Sequence, residues 1–152
     1  MTLIKKNRAF TLLEILLVVA AIGILAAITI VAINPTKQLG ATKNAQRQAD
    51  VNTILNAMYQ YSIDHYGAVP SSVSTTDQEI CATGTASTTC DQLGLLNLQA
   101  LTDNEVYLFA IPIDPANTTI SGTGYRLKKT ASGRLTASAP LAELGTVISV
   151  TK

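Results

Sequence analysis

The sequence predicts an α+β protein: a long N-terminal helix, with a membrane-spanning half and an amphipathic half, packed on a small antiparallel β-sheet. Three observations predict it. An apolar run, FTLLEILLVVAAIGILAAITIVAI, covers residues 10–33 and contains a single charge, Glu14. Residues 42–66 then repeat apolar side chains at helical spacing. The last third of the chain holds short β-branched or alternating segments separated by turn residues.

Three parts follow from this pattern: a basic leader at 1–9, a helix at 10–33, and an extracytoplasmic domain at 34–152 that includes the amphipathic half, 42–66. A helix of about 24 residues spans about 36 Å, enough to cross a hydrocarbon core of about 30 Å. Lys5, Lys6 and Arg8 stand before it with no acidic residue among them. By the positive-inside rule that end stays in the cytoplasm and the domain lies outside. A cleaved secretory signal fits poorly, because its apolar region is normally about 7–15 residues and ends at a small-x-small site. A plain signal anchor accounts for everything except Glu14. A carboxylate inside a bilayer costs about 2.5–3.5 kcal/mol on insertion scales and calls for a partner, unless it snorkels to the nearby surface.

The segment KKNRAFTLLEILLVVAAIGILAAI resembles the prepilin signal of the type IV pilin and pseudopilin family. That signal is a basic leader, a small residue, then Phe-Thr-Leu-x-Glu opening a long apolar helix. Here the small residue is Ala9, where the family usually has Gly, and the opening is Phe10, Thr11, Leu12, Leu13, Glu14. The resemblance implies a pilin-like fold, a cut between Ala9 and Phe10 by a prepilin peptidase, and N-methylation of Phe10. It also implies that Glu14 pairs with the new amine of a neighbouring subunit as helices bundle. The implied partners are other copies or other pilins in a filament, the peptidase, the inner-membrane assembly machinery and the membrane. The alternative is a monomeric, signal-anchored binding domain that keeps its leader.

After the apolar run, Asn34-Pro35 marks a break. Proline disfavours helix in the residue before it, although Asn34 could equally cap a restarted helix with Pro35 in its first turn. Within 42–66, Val51, Ile54, Leu55, Met58 and Tyr61 or Ser62 form the apolar stripe. Lys43, Arg47, Asp50 and Asp64 are assigned mostly to the other faces. Tyr59, Tyr61 and Tyr66 are read as packing residues, and His65 as a favourable charge at the helix end. Gly67 and Pro70 stop the helix. This segment also resembles the pseudopilin pattern of Tyr followed by Gly-x-x-Pro.

Residues 71–91 read as a polar loop containing Cys81 and Cys90. In an extracytoplasmic domain a bridge between them is expected, since two lone cysteines make a poor metal site. A short helical turn is expected at 93–102, and strands at 106–113, 124–130, 134–139 and 146–151. Ala131-Ser132-Gly133 suggests a hairpin. The segment IPIDP, with the GTGYRL that follows it, resembles the Pro-x-Asp-Pro turn that precedes the hairpin in pseudopilins.

The formal net charge is +1, and loss of residues 1–9 would remove three of the eleven basic side chains. No large basic patch supports a nucleic-acid partner. One histidine, no tryptophan and no Gly-rich phosphate loop leave no constellation for catalysis, and an enzyme is not expected. No cofactor is expected either. Some pseudopilins bind calcium near their sheet, and Asp103, Glu105 and Asp114 are the candidate ligands here. They lack EF-hand spacing, and calcium wants six to eight oxygens. Asn117-Thr118-Thr119 matches the glycosylation triplet by pattern alone.

Overall fold

The computed structural model describes residues 10–152. It divides into two units, meeting between Gln38 and Leu39. The first is dominated by α1, Leu12–Ile33. Its 22 residues would extend about 33 Å. None of them is buried. A helix with an apolar surface and no buried residue is built to be covered by lipid or by other helices.

Asn34 separates α1 from α2, Pro35–Asp64. It is the C-cap of α1 and adopts a left-handed conformation, φ 48°. Its side-chain Oδ1 and its carbonyl both accept from the Lys37 amide, at 3.2 and 3.1 Å. One residue therefore ends a helix and caps the next, with Pro35 in a first-turn position where the missing N–H costs nothing. Of the two sequence readings, the restarted helix is the one observed.

The second unit holds the sheet and most of α2. The buried face of α2 runs through Gly40, Asn44, Arg47, Val51, Ile54 and Met58, spaced by three or four residues. The apolar half of this stripe is as expected. Its first half is polar, and Arg47 and Asp50 are buried on it instead of lying on the other faces. Tyr61 packs partly on the core, whereas Tyr59 and Tyr66 are exposed and lie outside it. His65 stacks on Tyr61 at 3.9 Å and bonds its carbonyl through Nδ1 just past the helix end.

The sheet is antiparallel in the order β1-β2-β3-β4. Strand β1 is Gln78–Cys81, β2 is Gly122–Lys129, β3 is Leu135–Ser138 and β4 is Ser149–Thr151. Alternate residues of β2, Thr123, Tyr125 and Leu127, face the core with Leu135 and Ala137 of β3. Gly133, at φ 87°, sits in the hairpin turn expected between β2 and β3.

Two segments differ from expectation. Residues 71–91 are not loop throughout, since they contain β1 and the short helix α3, Ser87–Gln92. Strand β1 reads Gln-Glu-Ile-Cys, too polar to signal a strand, and tertiary pairing with β2 makes it one. Conversely, 106–113 forms no strand. Asn104 and Glu105 both take left-handed conformations just before it, and Pro112 removes a donor from it. Its apolar content is divided between buried Ile111, part-buried Tyr107 and Leu108, and exposed Val106, Phe109 and Ile113.

Candidate assembly and processing site

At the start of α1, Phe10 is exposed and non-helical. Thr11 is extended, φ −81° and ψ 150°, and acts as the N-cap. Its Oγ1 accepts from the Glu14 amide at 3.2 Å, and its carbonyl accepts from the Ile15 amide at 3.2 Å. Thr11-Leu12-Leu13-Glu14 has the spacing of a capping box. Glu14 itself is exposed, and among the described residues it forms no ion pair. Lys5, Lys6, Arg8 and Ala9 lie outside the described residues.

The other charged arrangement is buried in the second unit and was missed by sequence reasoning. The Arg47 guanidinium is fully buried and grips Asp114 through two bonds, Nε to Oδ2 at 2.7 Å and Nη2 to Oδ1 at 3.0 Å. Nη1 donates to Asn44 Oδ1 at 2.9 Å, and Nη2 reaches Glu143 Oε1 at 3.4 Å. Asn44 also reads the backbone of Glu143 in both directions, accepting from its amide at 2.9 Å and donating to its carbonyl at 2.8 Å. Lys43 closes the cluster on Glu143 at 3.1 Å. The absence of a side chain at Gly40 lets this segment approach, since a Cβ there would stand 3.1 Å from Glu143 and 3.2 Å from Leu144.

These contacts explain the electrostatics. The Asp114 hydrogen bonds raise the Arg47 pKa, outweighing its desolvation. The Lys43 hydrogen bond draws the Glu143 carboxyl below its ordinary value, against a smaller desolvation effect. Nearby, Tyr125 donates to Asp50 Oδ2 at 2.6 Å, and burial followed by that bond pushes its phenol pKa up. Every buried side-chain nitrogen and oxygen among the described residues has a partner.

Asp114 belongs to the IPIDP turn, where its Oδ1 also accepts from the Ala116 amide at 2.8 Å. Both carboxylate oxygens of Asp114 are engaged by Arg47, and Asp114 is not grouped with Asp103 and Glu105 among the described residues. Among the described residues no group of three His, Cys, Asp or Glu side chains could hold a metal. The Asn117 side-chain amide donates to the Thr119 and Gly122 carbonyls, at 3.0 and 2.7 Å, so its nitrogen already serves the turn. Cys81 and Cys90 are joined in a disulfide that ties the end of β1 to α3.

A family model described as the prokaryotic N-terminal methylation motif matches residues 4–30. The chain carries the prepilin signal of type IV pilins and pseudopilins. Neither a curated protein nor a solved structure matches it. The motif covers Phe10, the Thr11 cap, Glu14 and most of α1. It implies processing by a prepilin peptidase and assembly into filaments, and it points to a structural subunit rather than an enzyme. The prepilin signal and one helix long and apolar enough to span a bilayer fit a single-pass, membrane-anchored, extracytoplasmic protein.

The burial of Arg47 was the departure from expectation, and a signal for it existed. It lies four residues before Val51 and seven before Ile54, on the apolar stripe itself. A charge in register with a hydrophobic face announces a buried partner.

Proposed function

We propose that the chain is a prepilin, cut between Ala9 and Phe10, methylated at Phe10 and polymerised by bundling of its N-terminal helices. Its product is a subunit of a type IV pilus or of a type II secretion pseudopilus, alone or mixed with other pilins. The leader is 1–9, the filament-core helix 10–33 and the extracytoplasmic domain 34–152, with the amphipathic half at 42–66. Lys5, Lys6 and Arg8 hold the N-terminus in the cytoplasm, where the peptidase and the assembly machinery act. The observation that carries this reading is a helix with no buried residue, opened by a matched processing motif and bearing a single charge near its start.

In this reading Glu14 is the partner for the amine made by cleavage. The amine appears only on a processed chain, and in the bundle it belongs to a neighbour. Opposite charges attract strongly where water is excluded, so the pair sets the axial register between subunits. Co-expression with a prepilin peptidase should yield a chain starting at methylated Phe10, seen by intact mass and N-terminal sequencing. Retention of Met1 beside an active peptidase defeats the proposal.

A further inference from the structure

We propose that Thr11 is a positioning residue for processing: its hydroxyl stops α1 short of the bond to be cut. This rests on the reading that the cut falls between Ala9 and Phe10. A peptide bond inside a helix has its carbonyl tied to an amide four residues ahead and is sheathed by side chains. A peptidase must reach that carbonyl and a face beside it, so the bond must be unwound.

The competition can be followed atom by atom. If α1 grew backwards by one turn, the Glu14 amide would donate to the Phe10 carbonyl and the Leu13 amide to the Ala9 carbonyl, which is the scissile one. Instead the Glu14 amide donates to Thr11 Oγ1 at 3.2 Å. Thr11 is extended and Phe10 is non-helical, so the helix begins at Leu12. Apart from Asn7, itself a capping type, little in the nearby sequence stops it. Residues 1–11 contain no Gly and no Pro, and Lys5, Lys6, Arg8 and Ala9 are all good helix formers. Ala9, at the cut itself, has the highest helix propensity of any residue type. The hydroxyl cap is the local feature that opposes this tendency.

Thr11→Val keeps the shape and the β-branching and replaces the hydroxyl, with its acceptor, by a methyl group. The test uses the full chain inserted in membranes, with purified prepilin peptidase, and follows the initial rate of leader loss at matched inserted substrate. Loss of a side-chain cap shifts the balance towards the longer helix by about fivefold, so Thr11→Val should be cut more slowly, by a factor that approaches about fivefold only where the longer helix becomes the dominant form. Thr11→Ser keeps the acceptor and should stay within about twofold of the parent. Ala9→Gly weakens the helix at the cut, so it should speed the Thr11→Val chain by a larger factor than it speeds the parent. Equal rates for the parent and Thr11→Val overturn the inference, as does Thr11→Ser slowed as much as Thr11→Val. Equal acceleration by Ala9→Gly in both backgrounds overturns it too. If the parent itself is not cut, the processing reading has failed; if the parent is cut and these contrasts are missing, the role of Thr11 alone has failed.

Discussion

Glu14 and Arg47 set the same physical problem in two regions of one chain, a charge on an apolar helix face, with Glu14 exposed and Arg47 buried. Arg47, in the second unit, is solved within the molecule. Asp114, Asn44 and Glu143 surround its guanidinium, and no buried polar side-chain atom among the described residues is left over. Glu14 stands on a helix with no buried residue and, among the described residues, no cation pairs with it. The first arrangement belongs to a unit that completes its own interior. The second belongs to an element that, in the proposed reading, is completed by an assembly.

That contrast is broken most severely at Glu14. Glu14→Ala should leave membrane insertion intact or improved, because it removes a costly group from the apolar run. The second unit should melt as before. Filament should fall sharply, since losing one member of a buried ion pair costs about 3–5 kcal/mol and the loss repeats at every subunit contact. Electron microscopy at matched subunit levels measures this. Glu14→Gln should recover assembly only partly, because it keeps shape but not charge. Wild-type filament abundance with Glu14→Ala would show that Glu14 supplies no pairing that assembly needs.

Asp114→Ala tests the other side of the comparison. It strands a fully buried guanidinium and should destabilise the second unit by about 3–5 kcal/mol, measured by denaturant unfolding of the detergent-solubilised chain. Arg47→Met combined with Asp114→Leu should recover much of that loss, because a packed apolar pair carries no desolvation cost. A loss with Asp114→Ala no larger than that of an exposed ion pair would show that the pair is not sealed from water.

Reduction of Cys81–Cys90 should have a smaller effect. Opening a loop of about ten residues removes about 2–3 kcal/mol in the chain-entropy model. The melting temperature should drop while the fold persists, because the core around Ile54, Tyr125 and Leu127 does not depend on the bridge. Unchanged melting after verified reduction would show that the bridge adds nothing to the folded state.

The smallest effects come from pH. Glu143 is held below its ordinary value of 4.5 in the fold. The unfolded chain therefore binds its proton first as pH falls, and this contribution, complete above about pH 4.5, is lost as pH drops through the folded value. Lys43→Ala should flatten that acid limb. Tyr125 is raised above 10.0, so its contribution is present below pH 10 and is lost as pH rises beyond it. Tyr125→Phe should flatten the alkaline limb. Limbs unaltered by these changes would assign the pH dependence to other groups.

How much was legible in the sequence depended on whether the signal was local. The apolar run, the break at Asn34-Pro35, the stripe through Val51, Ile54 and Met58, and the β2–β3 hairpin are written in periodicity and turn chemistry, which act between near neighbours. The methylation motif is local too, and it could be read in the sequence of residues 4–30. The Thr11 cap was equally local, with Glu14 three residues on.

Other features were decided only by tertiary structure. Gln78–Cys81 became a strand because β2 offered it a hydrogen-bonding edge, and 106–113 did not because left-handed turns and Pro112 kept it from any edge. Arg47 was assigned to the surface by its charge, yet the fold buried it, because a turn 67 residues later supplies Asp114 and another 96 residues later supplies Glu143. Composition and spacing report what each residue prefers on its own. Where a charge can be buried depends on what the distant chain brings to meet it, and that pairing exists only once the fold has closed.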